Sequence, residues 1–458
     1  MTVTVRRAYR FALDPTPAQQ RVLAANAGAA RFAFNWALAQ VQANIQQRAA
    51  EQAAGVADAQ RTPALGWTLP ALRREWNQAK AEVAPWWASC SKEAFNTGLD
   101  GLARALRNWS ASRSGRRAGR PVGFPRFRSR RRTTPSIRFT TGTIRVEPDR
   151  KHVTLPRLGA LKTHESTRKL ARRLEADTAR ILSATVRRQA GRWFVAFTCE
   201  VQCVQRSPTR PNATVGVDVG IKQLAVLSDG ELVAHPGHLA TATRRLRRRS
   251  RALCRKSGPD RRTRQRPSRR WEQASRDLGR AHARIANLRR DGLHKLTTRL
   301  ASTYGTVVVE DLNVAGMLAN RRLAKAISDA GFGEIRRQLA YKTAWHGGRL
   351  EFADRFYPSS KTCSGCGAVT AKLPLSARTF ACDACGCVLD RDVNAAINLQ
   401  QYVARSGRET PNGRGADQKT RVRGQVAVKR QPRTATADKT GTVPPQGGTA
   451  DQEFTHAH

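Results

Sequence analysis

The sequence is poor in acidic residues, and this scarcity is its clearest compositional feature. Its 458 residues contain 34 Asp and Glu against 82 Lys and Arg, which gives a formal net charge of +48 at pH 7. A folded protein with such an excess of one charge repels itself unless a polyanion neutralises it. Solubility alone needs a net charge of only about 2–8 in a small domain. The composition therefore predicts a nucleic-acid partner, because each phosphate contacted releases counterions and favours binding.

Long hydrophobic runs are also missing. No apolar stretch reaches the roughly 18 residues that span a membrane, and the N-terminal segment MTVTVRRAYRF lacks the apolar run of a secretory signal. We therefore expect a cytoplasmic protein without a membrane partner. The hydrophobic share of 40% still allows a sizeable core, and the length suits two to four domains of about 100–200 residues each.

The N-terminal half changes character along the chain. Thr16, Pro17 and Gln19 form a capping-box pattern that predicts a helix start. Helical spacing of apolar residues then predicts helices up to about residue 109, followed by short strands and turns up to residue 205. The tryptophans of the helical part are expected in its core: Trp36, Trp76, Trp86, Trp87 and Trp109.

Two basic segments are candidates for nucleic-acid contacts. Phe124–Arg128 combines aromatic faces with arginines, a pattern suited to single strands, although an ordinary solvated linker would look the same. Arg244–Arg270 holds thirteen arginines and few apolar residues. This second segment favours contact with RNA or a heteroduplex, because so many cations with so few acidic neighbours cannot form a salt-bridged surface.

Four cysteines have the spacing of a structural zinc site. Cys363 and Cys366, and then Cys382 and Cys385, form the pattern C-x2-C-x15-C-x2-C, with a glycine after each pair. Four thiolates close a tetrahedral shell around one Zn²⁺ and leave no open position for catalysis. Cys387 is a spare cysteine outside this pattern.

Three acids stand at the ends of predicted core elements. Asp218 interrupts the apolar run VGVDVGI, Glu310 ends a run of valines, and Asp392 opens a predicted helix. Hard oxygen ligands that converge in this way suit Mg²⁺ or Mn²⁺, and two such ions can catalyse phosphodiester cleavage. Two alternatives remain open here: Asp392 could cap its helix, and Asp311 could replace Glu310 as the ligand.

Together these segments resemble the TnpB family, also called OrfB-type transposases, and the related compact type V CRISPR effectors. The resemblance covers nearly all of the chain up to Gln401. The matching segments are FALDPTPAQQRVLAANAGAARFAFNWAL from Phe11, GFPRFRSR from Gly123, VGVDVGIKQLAVLSDG from Val215, VVVEDLNVAGM from Val307, YPSSKTCSGCG from Tyr357 and CDACGCVLDRDVNAAINL from Cys382.

The resemblance implies an α/β multidomain fold. An RNase H-like (RuvC) nuclease core would carry an inserted zinc ribbon, preceded by a small β-barrel-like domain and an α-helical recognition domain. The implied ranges are 1–14 and 110–205 for the wedge-like β domain, 15–109 for the helical domain, 213–358 and 388–404 for the nuclease, and 359–387 for the ribbon. Residues 405–458 lack core-forming composition and are expected to be a disordered tail.

The resemblance also implies the activity of a bacterial, nucleoid-associated RNA-guided DNA endonuclease. Asp218, Glu310 and Asp392 would hold the catalytic metal, the four cysteines would hold zinc, and Arg378 would approach the scissile phosphate. A guide RNA from the transposon end would supply specificity by base pairing, and the target would be double-stranded DNA beside a short adjacent motif.

Two other functions predict different features. A non-cleaving accessory transposition factor or repressor would be expected to lack one or more of the acids, all of which are present. A guide-independent nuclease for branched DNA would leave the regions before residue 205 without an evident purpose.

Overall fold

A computed structural model describes residues 2–406 apart from 131, 261 and 375, together with residues 418–422 and 425–429. The chain divides after Val204 into two units, called unit 1 and unit 2 below. No helix among these residues is long and apolar enough to cross a membrane.

Unit 1 combines helices with two antiparallel sheets. The helices are α1 (Pro17–Ala53), α2 (Leu69–Val83), α3 (Lys92–Arg113) and α4 (Arg168–Glu175). The strands are β1 (Thr2–Ala12), β2 (Ser136–Phe139), β3 (Arg145–Val146), β4 (His152–Leu155), β5 (Gly159–Lys162), β6 (Ala179–Gln189) and β7 (Arg192–Val204). One sheet has the order β1-β7-β6-β2 and the other the order β3-β4-β5. Closure of these strands into a barrel stays a prediction.

The start of α1 is fixed by its predicted cap. The Thr16 hydroxyl accepts a hydrogen bond from the Gln19 N–H at 3.3 Å, and the Gln19 side chain accepts one from the Thr16 N–H at 3.0 Å. The capping box is therefore confirmed. Further along, α1 packs closely on α3 at Gly98, where a Cβ atom would lie 2.1 Å from the Ala30 carbonyl oxygen.

The prediction that all five tryptophans lie in the helical core is wrong for two of them. Trp76 is 4% exposed and stacks on Phe95, with ring centroids 4.8 Å apart. Trp86 and Trp87 are 43% and 36% exposed. They lie on a 3-10 turn that follows α2, where the helical spacing that buries Trp76 has already ended.

Unit 2 is built on a five-stranded mixed sheet. Its strands are β8 (Arg210–Asp218), β9 (Gln223–Leu227), β10 (Leu232–Ala234), β11 (Tyr304–Glu310) and β12 (Arg349–Ala353), in the order β10-β9-β8-β11-β12. Strands β8, β11 and β12 are parallel, β9 is antiparallel to β8, and β10 is antiparallel to β9. The remaining strands are β13 (Thr379–Ala381), β14 (Val388–Asp390), β15 (Gln418–Val422) and β16 (Gln425–Lys429).

Helices cover both faces of this sheet. They are α5 (His238–Cys254), α6 (Arg269–Thr303), α7 (Val314–Ala319), α8 (Ala324–Ala330), α9 (Phe332–Trp345) and α10 (Arg391–Ser406). Val307 and Val309 of β11 share a core with α6 and α9, while Val308 between them packs with Leu399 of α10. The continuous valine run follows from this burial on both faces.

Unit 2 also contains the arginine-rich segment. Arg244–Arg270 forms most of α5, the connection after it and the first residues of α6, and Leu246 is the buried residue of α5. Most of the tail predicted over 405–458 lies outside the described residues. Within it, the structure describes the end of α10 and the antiparallel pair β15–β16.

Candidate functional site

Two of the predicted acids leave the central sheet at the same edge. Asp218 is the last residue of β8 and Glu310 is the last residue of β11. The two strands are parallel, and Val217 lies opposite Val309. The acids therefore follow directly from paired valines, and both stand at the carboxyl ends of adjacent strands, where ligands of α/β sheets usually bind.

The third acid is brought to this edge by a glycine. A Cβ atom at Gly216 would lie 1.9 Å from the Ala396 carbonyl oxygen and 2.5 Å from the Gln400 N–H nitrogen. Only a residue without a side chain allows α10 to approach β8 so closely. Asp392 lies one helical turn before Ala396, so this contact places it near the end of β8.

Electrostatics show that the three acids are neighbours. Burial and, after it, the negative charges of Glu310 and Asp392 together raise the pKa of Asp218 to about 8, while the charge of Arg391 opposes them. Like charges around a partly buried carboxyl favour its protonated form unless a cation binds. The arrangement is therefore an oxygen-rich centre in which a bound cation would relieve the repulsion between the carboxylates.

Both alternatives for the acid ligands are disfavoured by the contacts of neighbouring residues. Asp390 accepts hydrogen bonds from the N–H groups of Asp392 and Val393 at 2.9 and 3.2 Å, so Asp390 is the residue that caps α10. Asp311 is bound by two arginines, Arg336 and Arg355, the latter at 2.7 Å. Asp392 is less tightly held, since Arg391 Nε lies 3.6 Å from its carboxylate, and Glu310 accepts one hydrogen bond from Ser359.

Sequence reasoning missed a serine that holds Glu310. The Ser359 hydroxyl donates a hydrogen bond to Glu310 Oε1 at 2.6 Å, and Ser359 is only 4% exposed. The Asn398 amide of α10 donates to the Ser359 carbonyl at 2.8 Å and to the Thr362 carbonyl at 2.6 Å. Two fully buried asparagines, Asn394 and Asn398, stand four residues apart on the buried face of α10, and that spacing is a signal that could have revealed this link.

The four predicted cysteines come together as one cluster. Their sulfur atoms all lie within 4.8 Å of one another, and the pairs Cys363–Cys385 and Cys366–Cys382 are each 3.6 Å apart. Tetrahedral zinc with Zn–S bonds of about 2.3 Å separates its sulfurs by about 3.8 Å. Within the described residues, the three acids are not grouped this closely.

The backbone around the cysteines is also shaped for a metal. Hydrogen bonds from the N–H groups of Cys366 and Gly365, together with those from the neighbouring thiols, lower the pKa of the Cys363 thiol to about 6. Gly367 and Gly386 have φ values of 82° and 71°, in the left-handed region that favours glycine. The donor set and the turns therefore fit a zinc ion, and Cys387 lies outside the quartet.

Arg378 is placed beside the acids through its backbone. Its carbonyl oxygen accepts a hydrogen bond from the Arg391 N–H at 2.7 Å, at the start of α10. The residue is exposed and directly precedes β13. Its position next to Asp392 is compatible with a cation that reaches a bound phosphate.

We expect Gly216→Ala to displace α10 and to remove activity that depends on Asp392. The new methyl group would overlap backbone atoms of α10, which cannot move aside as a flexible side chain can. Overpacking of a core typically costs about 1–3 kcal/mol or more, which should appear in urea unfolding. Gly292→Ala in α6 is the matched control, since a Cβ there meets nothing within 4 Å. Unchanged stability of Gly216→Ala would contradict the packing described.

A second prediction concerns the stability of the metal-free protein. The pKa of Asp218 is about 3.8 in the unfolded chain and about 8 in the folded protein. At a pH between these two values, the folded state keeps a proton that the unfolded state has lost. The free energy of unfolding should therefore fall as pH rises through this window, by about 1.4 kcal/mol per pH unit at most. Asp218→Asn should flatten this slope in urea titrations with a chelator from pH 5 to 8. Equal slopes for both proteins would show that Asp218 is not under this charge pressure.

Three family models match the chain. The one described as "Probable transposase" matches residues 196–321, and the one described as "Cas12f1-like, TNB domain" matches residues 332–399. A third, described as "Helix-turn-helix domain", matches residues 1–50. In this structure that last range holds β1 and most of the single helix α1.

Whole-chain relatives carry one shared name. A protein of Mycobacterium tuberculosis (strain H37Rv), named "Putative RNA-guided DNA endonuclease", is 40% identical, with 96% of each chain covered. A protein of Streptomyces pristinaespiralis with the same name is 35% identical, covering 95% of this chain and 99% of the relative. Among solved structures, the cryo-EM structure of a Cas12f1–sgRNA–target DNA complex matches at 12% identity with a TM-score of 0.47, covering 87% of this chain and 99% of that chain.

Proposed function

Because the chain belongs to the TnpB family of OrfB-type transposases, we propose that it is an RNA-guided DNA endonuclease of a bacterial transposon. One observation carries this proposal: Asp218 and Glu310, which are far apart in the sequence, end adjacent parallel strands, and the charges of Glu310 and Asp392 both raise the pKa of Asp218. An accessory factor that only binds nucleic acid would have no use for a costly group of like charges.

The proposed nuclease core is RNase H-like, of the RuvC type, over residues 213–358 and 388–404. The sheet topology supports this assignment: β10, β9 and β8 are antiparallel neighbours, and β11 and β12 continue the sheet parallel to β8, with helices on both faces. The zinc ribbon is proposed over 359–387, where it interrupts the core between β12 and α10. Residues 1–14 and 110–205 would form the barrel-like wedge domain, and residues 15–109 the helical recognition domain.

Asp218, Glu310 and Asp392 would hold Mg²⁺, or Mn²⁺, through carboxylate oxygens. The fit is supported by the raised pKa of Asp218, since a divalent cation would relieve the repulsion that causes it. A pair of such ions supplies an activated water and neutralises charge on the leaving oxygen of a phosphodiester. Cys363, Cys366, Cys382 and Cys385 would hold one structural Zn²⁺.

The protein's own residues would position these groups. Ser359 fixes the rotamer of Glu310 through its 2.6 Å hydrogen bond. Asp390 caps α10, so the Asp392 carboxylate does not have to cap the helix and lies beside Arg391, 3.6 Å from its Nε. We propose that Arg378, exposed beside the start of α10, contacts the scissile phosphate.

The partners proposed are a guide RNA from the transposon end and a double-stranded DNA target beside a short motif. The charge of +48 supports a polyanionic partner of this size. Arg244–Arg270 would contact the guide or the heteroduplex. Base pairing rather than protein contacts would then supply most of the sequence specificity.

The direct test is to purify the protein with its bound RNA, sequence that RNA, and offer a supercoiled plasmid that carries the complementary target. We expect Mg²⁺-dependent linearisation that follows the guide when its sequence is changed. Cutting without any guide would favour a guide-independent nuclease. Tight binding without cutting, at every adjacent motif tried, would favour an accessory factor or repressor.

A further inference from the structure

Phe356 is an aromatic side chain held out into solvent next to the acid centre. It is 81% exposed, the highest value of any large hydrophobic residue in the part of the chain that the structure describes. It lies in the connection between β12 and the cysteine cluster. Single exposed apolar residues are ordinary on protein surfaces. A functional role for Phe356 therefore has to be argued from the contacts that fix its loop.

The loop that carries Phe356 is fixed to the ends of the acid strand. Before it, Arg355 donates hydrogen bonds to the Asp311 carboxylate at 2.7 Å and to the Asp311 carbonyl at 3.1 Å. After it, Ser359 donates to Glu310. Both anchors are therefore on the two residues at the end of β11, and Phe356 is tied to the same point as the catalytic glutamate.

Local hydrogen bonds turn Phe356 outward while its neighbour turns inward. The Asp354 carboxylate accepts from the Phe356 N–H at 2.8 Å, and the Asp354 carbonyl accepts from the Tyr357 N–H at 3.0 Å. Tyr357 packs edge-on against Tyr402 of α10, with ring centroids 4.9 Å apart. The turn and the partly buried Tyr357 ring therefore restrict the backbone at Phe356.

Chain length limits how far Phe356 can lie from the acids. Two residues lie between it and Ser359, and the three Cα–Cα steps that join them span at most about 11 Å. The turns in this loop shorten that distance further. A polynucleotide strand cut at Glu310 would therefore pass within reach of the Phe356 ring.

We propose that Phe356 is a stacking platform for an unpaired base of the DNA strand being cut, beside the cleaved phosphodiester. This rests on the proposed function. Aromatic rings bind single-stranded nucleic acid through the π-face that every base presents, so the contact is independent of sequence. The strong positive charge of the chain complements the strand's phosphates. Phe356 would thus be a positioning residue that presents the phosphodiester to the acids.

The test combines a protein variant with a gap in the DNA. Target strands carrying a single abasic site at successive positions around the cut are offered to the guide-loaded protein with Mg²⁺. For the wild type we expect one position at which the missing base slows cleavage by about 5- to 150-fold. Phe356→Ala should slow cleavage of intact DNA by a similar factor and lose the sensitivity at that position. Phe356→Trp should keep both.

Val388→Ala is the matched control. Val388 is 63% exposed and directly follows the proposed ribbon, and shortening its side chain should leave rates and the abasic profile unchanged. The stacking role would be overturned if Phe356→Ala had the same abasic profile as the wild type. It would also be overturned if Phe356→Ala cut intact DNA at the wild-type rate. A wild type that cuts no guided target would instead overturn the proposed function, so the two failures are distinguishable.

Discussion

Glu310→Gln is expected to reduce guided DNA cleavage to background while leaving binding of guide RNA and target near the wild-type level. The amide keeps the size of the side chain and can still accept the hydrogen bond from Ser359. It loses the negative charge and one strong oxygen ligand that a divalent metal requires. Because metal-assisted hydrolysis depends on that ion for both the nucleophile and the leaving group, the effect should be among the largest of any single substitution.

Asp311→Asn is the control for this experiment, because it removes the adjacent carboxylate. Asp311 is occupied by Arg336 and Arg355. The asparagine keeps a side-chain acceptor for Arg355 and the backbone carbonyl that Arg355 also contacts, so the Phe356 loop stays anchored and most of the cleavage rate should be spared. Cleavage is followed on supercoiled plasmid and binding by gel shift at the same salt concentration. Residual cutting by Glu310→Gln near the wild-type rate would remove Glu310 from the metal site. Loss of binding together with cutting would show that its role is structural.

Cys363→Ser is expected to release the zinc and to unfold the ribbon. Structural zinc contributes about 10–16 kcal/mol of apparent binding free energy in zinc-finger peptides at neutral pH. Cys363 is fully buried among the four sulfurs, so a hydroxyl there cannot replace the thiolate. The ribbon is tied to α10 by Asn394, which donates to the Thr362 carbonyl at 2.8 Å. We therefore expect cleavage to fall together with the zinc content.

Zinc content is measured by elemental analysis as ions per chain, expected to be one in the wild type and none in Cys363→Ser. Cys387→Ser is the matched control, because Cys387 lies two residues beyond the quartet. This variant should retain one zinc ion per chain. A zinc-free wild type, or full zinc in Cys363→Ser, would contradict the assignment of the site.

The sequence allowed the ends of the core elements to be predicted, because an acid within or after an apolar strand stands out against its neighbours. The apolar run around Asp218 and the valines before Glu310 do form adjacent parallel strands. The cysteine spacing was equally readable, since two short pairs can close on one ion only if they meet. Both signals depend on residues that are close in the chain.

The remaining features depend on contacts between distant segments. That Gly216 admits the backbone of α10 follows from a helix 180 residues later in the chain, and no local pattern announces it. Ser359 looks like one serine among several until its hydrogen bond to Glu310 is seen. Trp86 and Trp87 are large aromatic residues of the kind found in cores, but they lie in the 3-10 turn that begins at Pro85 and are exposed at the surface.

The arrangement of the acids is tested most directly by locating the ion. Crystals of the protein with guide and uncleaved target, grown with Mn²⁺, should give anomalous diffraction peaks bounded by the carboxylates of Asp218, Glu310 and Asp392. Manganese at other sites only, with these three side chains left apart from one another, would contradict the account.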